Sequence, residues 1–316
     1  MKELVSVIMT AYNEKEDWLR LSVESILEQS YKDIELIIVV DNPKNKTLVE
    51  VIREIQGNHD NLKVIINKTN IGLAMSLNEA FKYANGKYIA RMDADDISKL
   101  DRIEKQVELL KNKPEIALLS STSIKINEEG DLLKEQSSIG TRDFNQIKNS
   151  IKYTNFMVHP SWLMRRELFE NLNGYRDFEC SQDYDFLLRA ISNNYKMLLI
   201  DDKLINYRVR KNSITTAKAF KQFLIAKYIK KLYKQRRLSN NIDDFSKKNL
   251  DHYLHINNYE SSFHKEKYNN SLKKFNQIKS AGTTVSRMVS LINCFFYSSY
   301  SREILFNYLR YRLASR

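Results

Sequence analysis

The chain has 316 residues, 42% hydrophobic and 28% charged, with only 7 Gly and 3 Pro, which suits one large α/β domain plus an appendage and excludes collagen-like or low-complexity architectures. Two cysteines, Cys180 and Cys294, stand far apart in the sequence and exclude a disulfide framework or a thiolate zinc site, leaving free thiols as the expectation. The net charge of +12 is uneven: 31 Lys and Arg against 33 acids in residues 1–215 leave −2, while 20 against 6 in residues 216–316 leave +14, so any attraction to anionic lipid or nucleic acid belongs to the tail.

Met1-Lys2-Glu3 passes straight into a strand-like run, so no signal peptide is expected, and no apolar stretch reaches the ~20 residues that span a bilayer. Val5 to Thr10 reads as a buried strand, and Leu19, Val23, Ile26 and Leu27 follow at helical spacing. Ile34 to Val40 is a second strand, stopped by the turn signal Asp41-Asn42-Pro43. Leu48, Val49, Ile52 and Ile55 mark a helix, and Leu62 to Ile66 a third strand. After Gly72, Leu73, Leu77, Ala80, Phe81 and Ala84 line one helical face that ends at Asn85-Gly86. Tyr88 to Met92 is the fourth strand; Ser98 with Asp101 then reads as a capping box for a helix whose Leu100, Ile103, Val107 and Leu110 face inward. This alternation predicts a mainly parallel sheet with helices on both faces.

The fourth strand delivers Asp93, Asp95 and Asp96 at its carboxyl end. Like charges this close repel unless a cation neutralises them, and carboxylate oxygens suit Mg²⁺ or Mn²⁺. Ligands of open α/β sheets bind beyond the carboxyl ends of the strands. That places residues 10–14, Asp41-Asn42 and residues 93–96 at one edge, a sensible setting for a nucleotide diphosphate and its metal. There is no Gly-x-Gly-x-x-Gly and no Walker-type loop, which argues against a dinucleotide fold or a P-loop NTPase.

From about residue 216 the pattern changes. Phe220, Phe223, Leu224, Tyr228 and Leu232 form one face among Lys and Arg, and Met288 to Phe296 and Ile304 to Leu313 repeat the pattern. These are basic amphipathic helices, expected to pack on the core, to associate with a membrane surface, or both; nucleic acid is not expected as a partner.

The order Val5-Ser-Val-Ile-Met-Thr-Ala-Tyr-Asn13, then Asp41, Asn70-Ile71-Gly72 and Asp93-Ala-Asp-Asp96 resembles the family-2 glycosyltransferases, inverting enzymes of GT-A fold whose bacterial members build O-antigen, capsule and other surface polysaccharide. The resemblance covers residues 4 to about 212. It implies domains at 1–215 (nucleotide-sugar transferase) and 216–316 (basic helical region). It implies a nucleotide-sugar pocket from Thr10, Ala11, Tyr12, Glu14, Asp41, Asn70, Gly72, Asp93 and Arg210, with Asp41 accepting the uracil N3–H. It also implies Asp93 and Asp95 as ligands of Mn²⁺ or Mg²⁺. Gln182-Asp183 resembles the family's acidic motif opening the acceptor-side helix, with Asp183 as the base for the acceptor hydroxyl. His159, Trp162 and Asp185 are expected beside the acceptor, Trp162 either stacking on a sugar face or packing as a core aromatic. Tyr207 to Ser213 resembles the closing Tyr-Arg-x-His segment, with Arg210 in place of the His and available to the diphosphate.

The expected activity is inverting transfer of a hexose (Glc, Gal or an N-acetylated form) from a UDP-sugar to a lipid-linked oligosaccharide, on the cytoplasmic face of the cell membrane. The alternatives are a sugar-nucleotide nucleotidyltransferase, or a non-catalytic glycan- or lipid-binding scaffold.

Overall fold

The computed structural model describes residues 3–133, 139–210 and 218–315. The chain divides into two compact units, Met1–Phe144 with Met157–Lys211, and Asn145–Phe156 with Asn212–Arg316. The short segment 145–156 thus falls with the helical unit, although sequence places it in the first domain; the boundary expected at 215/216 lies outside the described residues.

The first unit is built on an eight-stranded sheet. Its strands are β1 (Val5–Ala11), β2 (Ile34–Val40), β3 (Leu62–Ile66), β4 (Tyr88–Asp93), β5 (Ile97–Ser98), β6 (Ile116–Ile126), β7 (Leu163–Arg165) and β8 (Lys196–Arg208), in the order β3-β2-β1-β4-β7-β6-β8-β5. The pairs β1–β2, β1–β4, β2–β3 and β6–β8 are parallel, and β7 and β5 join antiparallel. The expected mainly parallel α/β architecture is found.

The helices of this unit are α1 (Glu16–Leu27), α2 (Lys46–Gln56), α3 (Leu73–Phe81), α4 (Arg102–Asn112), α6 (Arg166–Asn171) and α7 (Gln182–Ser192), with α5 (Phe144–Ser150) running into the segment that joins the second unit. Alternate residues of the central strands, Val5, Val7, Met9, Leu36, Ile38, Ala90 and Met92, share one buried cluster with Leu19, Val23, Ile52, Ile103 and Val107 of α1, α2 and α4. Their neighbours Ile8, Ile37, Val39 and Ile89 are buried on the opposite face, where α3 contacts β1 and β2. Strands buried on both faces explain the unbroken apolar runs.

One helix start differs from expectation. Ser98 lies in β5, its amide bonded to Ser25 Oγ at 3.0 Å. It therefore caps nothing; α4 begins after Asp101 without a side-chain cap, and Leu100 is exposed rather than inward.

The second unit contains α8 (Ala219–Leu238), α9 (Lys247–Ile256), α10 (Ser262–Ser280), α11 (Thr284–Tyr297) and α12 (Ser299–Ala314). Phe220, Leu224, Tyr228 and Leu232 of α8 are buried at the expected helical spacing. Phe275, Ile278, Cys294 and Leu305 form the centre of the α10–α12 packing. Both cysteines are buried thiols outside any disulfide. Among the described residues no helix is long and apolar enough to cross a membrane.

Candidate active site

Parallel β1, β2 and β4 all end at the same edge, and the three loops expected to meet there do so. Asp93 closes β4, and Asp95 and Asp96 follow in a tight turn. Each of the three can offer a carboxylate oxygen, and these oxygens lie within 4.8 Å of one another. Asp95 and Asp96 are buried, and Asp93 is half-buried.

Burial, followed by the Asp93 charge, pushes the Asp95 carboxyl up to about 7, with Arg210 opposing. Asp96 is raised well above the ordinary carboxylate range, again by burial first and then by Asp93 and Asp95. Asp96 Oδ1 accepts the Arg208 amide at 2.8 Å, while its buried Oδ2 has no hydrogen-bond partner among the described residues. Three clustered carboxylates, one with an orphaned buried oxygen, are a donor set that fits Mg²⁺ or Mn²⁺.

Three arginines balance this charge. Buried Arg91 pairs with Asp93 from within β4, and among the described residues its Nε and Nη1 make no hydrogen bond. Arg208 at the end of β8 bonds Asp95 O through Nε at 2.9 Å and the carbonyls of Asn127 and Glu128 through Nη1. Arg210 Nε lies 2.8 Å from Asp95 Oδ2. Both Arg208 and Arg210 stand over the Trp18 ring, at 5.1 and 6.0 Å. The residues Lys211 to Ser213 that close the same motif lie outside the described residues.

Glu14 folds back so that Oε2 accepts the Tyr12 amide at 2.6 Å. Its carboxyl is raised, chiefly by burial, and it senses both Arg210 and Asp93, which sets the 12–14 loop beside the acidic cluster. Thr10 and Ala11 end β1, and Tyr12 projects with 44% of its surface exposed.

Asp41 carries contacts the sequence did not announce. Its Oδ1 accepts Asn67 Nδ2 at 2.8 Å and the Ile71 amide at 2.9 Å, and its Oδ2 accepts the Gly72 amide at 2.9 Å. Both oxygens of this buried carboxylate thus help frame the 67–72 loop. Gly72 begins α3 at φ +82°, a conformation that side chains with a Cβ resist. Its amide also meets Asn70 Oδ1 at 3.0 Å, so Asn70 and Gly72 shape the loop together.

Asp183 sits in the first turn of α7, half-buried. The buried Tyr175 hydroxyl, raised first by burial, is also raised by the charges of Asp183 and Asp93 and lowered by Arg91 and Arg189. Asp183 and the acidic cluster therefore act on one side chain from two elements distant in sequence. Tyr175 bonds His159 Nε2 at 2.7 Å, and burial together with Arg91 holds His159 well below the usual imidazole range, hence neutral.

Two of the residues expected near the acceptor are enclosed by the fold, Trp162 in the core packing that is its other reading. Trp162 is fully buried, with the His159 ring edge-on at 4.6 Å, and offers no face to a sugar. Asp185 is fully buried and pairs with Arg189 Nε at 2.7 Å; Arg189 in turn bonds Leu172 O and Gly174 O. Asp185 thus anchors α7 to the 172–174 turn and so positions Asp183. Sequence reasoning missed Arg91, Arg208 and Trp18; the i,i+4 spacing of Asp185 and Arg189 was the available signal for that pair.

The sequence profile of glycosyl transferase family 2 matches residues 6–172. The chain is 38% identical over 243 residues to an uncharacterized glycosyltransferase of Methanocaldococcus jannaschii, covering 76% of this chain and 83% of that protein. It is 30% identical over 244 residues to the O-antigen biosynthesis glycosyltransferase WbnJ of Escherichia coli, covering 75% and 92%. Among solved structures, S. aureus TarS 1–349 in complex with UDP-GlcNAc superposes with a TM-score of 0.60 at 18% identity, covering 99% of this chain and 90% of that one. The mannosyltransferase PcManGT of Pyrobaculum calidifontis in complex with GDP-Man and Mn²⁺ also gives 0.60 at 18% identity, covering 100% and 86%. The fold is accordingly GT-A-like.

Proposed function

The chain belongs to glycosyl transferase family 2, and we propose that it transfers a hexose with inversion from a UDP-sugar to a lipid-linked oligosaccharide in surface-polysaccharide synthesis. The observation that carries this reading is the convergence of Asp183 and the Asp93–Asp95–Asp96 cluster on Tyr175 and Arg91. An inverting transfer needs a base on the acceptor side and charge compensation on the diphosphate side, roles that suit Asp183 and the acidic cluster.

Asp183 takes the proton of the acceptor hydroxyl as its oxygen bonds to the anomeric carbon. The bond from that carbon to the diphosphate oxygen breaks with its electron pair, releasing UDP. Asp185 and Arg189 hold α7, and hence Asp183, in place. Glu14, Tyr12 and the 67–72 loop framed by Asp41 line the donor side, and half-buried His159 stays neutral toward the acceptor. A divalent cation held by Asp93, Asp95 and Asp96 would supply countercharge for the diphosphate.

UDP as the nucleotide is supported by the UDP-GlcNAc bound to the TarS structure, and surface polysaccharide by the O-antigen relative. Such an acceptor is embedded in the cell membrane, which places the enzyme at its cytoplasmic face. The test is a panel of UDP- and GDP-hexoses with extracted lipid-linked acceptor, read as nucleotide release and product anomeric configuration. Consumption of a UDP-hexose with inverted product is expected. Turnover of GDP-sugars alone, or of no sugar nucleotide at all, refutes it; condensation of a nucleoside triphosphate with a sugar phosphate would identify a nucleotidyltransferase instead.

A further inference from the structure

We infer that the outer faces of α11 and α12 form a docking surface for an anionic lipid bilayer, with α11 lying in the interface rather than crossing it. On α11, Val285, Met288, Val289, Ile292 and Phe296 are each 52–74% exposed. At about 100° per residue they fall within an arc of about 100°, one continuous stripe. The inner side of the same helix is filled by Leu291, Cys294 and Phe295, so the stripe is additional to what packing requires. On α12, Phe306, Leu309 and Leu313 repeat the arrangement at 43–68% exposure. The two stripes are continuous: the Phe295 ring lies 5.1 Å from Phe296 and 6.0 Å from Phe306. Scattered exposed apolar residues need no explanation, but a patch of eight does.

Charge selects the occupant. Residues 281–315 carry Arg287, Arg302, Arg310 and Arg312 against a single acid, Glu303, whose carboxylate is paired with Lys227 Nζ at 2.8 Å. Helical phase puts Arg310 and Arg312 on either side of the Phe306–Leu313 stripe, with Arg302 in line with it one turn before Phe306. Tyr311 packs on Phe156 at 5.7 Å, and within that same unit Lys152, Lys230, Lys234 and Arg237 line a cavity of about 340 Å³ with no acidic residue in its wall. An apolar stripe flanked by arginine, with a cavity in the same unit whose charged lining residues are all cationic, complements a hydrocarbon layer under anionic headgroups. A second copy of the chain would bring two such cationic surfaces together, and they repel.

The inference rests on the proposed function only for the location of the acceptor, and its test needs no substrate. Full-length protein is sedimented with phosphatidylcholine vesicles and with vesicles containing phosphatidylglycerol, and compared with Ile292→Asp/Phe296→Asp and with the milder Val289→Ser/Phe306→Ser. Binding to anionic vesicles at least about tenfold above neutral ones is expected, with about a tenfold or greater loss in both variants at unchanged melting temperature and unchanged hydrolysis of UDP-sugar. Equal binding of wild type and variants, negligible binding to anionic vesicles, or a dimer that both variants dissolve would overturn it. Loss of hydrolysis in the unmodified protein would count against the catalytic reading alone.

Discussion

Replacing Asp41 by Ala separates a framing role from a base-reading one. The substitution removes the acceptor of three donors, but two have a second partner: Asn67 Nδ2 also reaches Ser76 Oγ at 2.9 Å, and the Gly72 amide reaches Asn70 Oδ1 at 3.0 Å. Ile71 N loses its acceptor outright. A hydrogen bond to a charged acceptor contributes about 1.5–3 kcal/mol, so with two donors partly rescued the loss is about 2–4 kcal/mol. Because the chain has two compact units, a single global unfolding energy is poorly defined; the assay is hydrogen exchange across residues 67–80 together with nucleotide titration. Faster exchange at Ile71 and Gly72 and a similar weakening of every nucleotide tested are expected. Unchanged exchange with a selective loss of uridine nucleotides would refute the framing argument and return Asp41 to the base.

Asp183→Asn keeps shape and hydrogen bonding while removing the proton acceptor, and a fall in kcat of about 10²–10⁴-fold is expected with donor affinity nearly unchanged; turnover within a few-fold of the unmodified enzyme would move the base elsewhere. The Asp95 carboxyl, pushed up from 3.8 to about 7, holds its proton in the fold until near neutrality, and a divalent cation must displace it. Mn²⁺ affinity measured by calorimetry should therefore rise by up to about tenfold per pH unit between 5.5 and 6.5 for the one proton that Asp95 releases, one unit being about 1.4 kcal/mol, and rise less steeply above about 7.5. An affinity independent of pH across that range would contradict the assigned burial.

The first hundred residues were legible because strands buried on both faces leave continuous β-branched runs, and α1 to α4 show clear apolar periodicity. The second half of the sheet was not. β6 passes through Ser120, Ser121 and Thr122, all buried, whose partners Ser161 Oγ and Asp201 O come from residues about 40 and 79 positions away; a polar run of that kind reads as a loop until its partners are known. β5 and β7 have two and three residues, too few for any periodicity. The segment 145–156 carries no compositional break to announce that it belongs with the helical unit.

In the site, the carboxylates announced themselves by clustering, but their countercharges did not. Nothing in the sequence around Arg91 marks it as a countercharge, but its alternation with Asp93 puts both on one face, and burial is tolerable because each neutralises the other. Arg210 raises the sharper question, since it stands on Asp95, a carboxylate that a cation also needs. The pair is 32% exposed on the Arg210 side, so solvent screening limits its contribution to about 1 kcal/mol or less, under a tenfold effect on cation affinity. Displacing Arg210 therefore costs a cation little. On the proposed reading, its guanidinium, beside Trp18 and Glu14, would then be available to the diphosphate. In the segment that resembles Tyr-Arg-x-His, Arg210 would thus add a positive charge to the donor side without removing any of the three carboxylates.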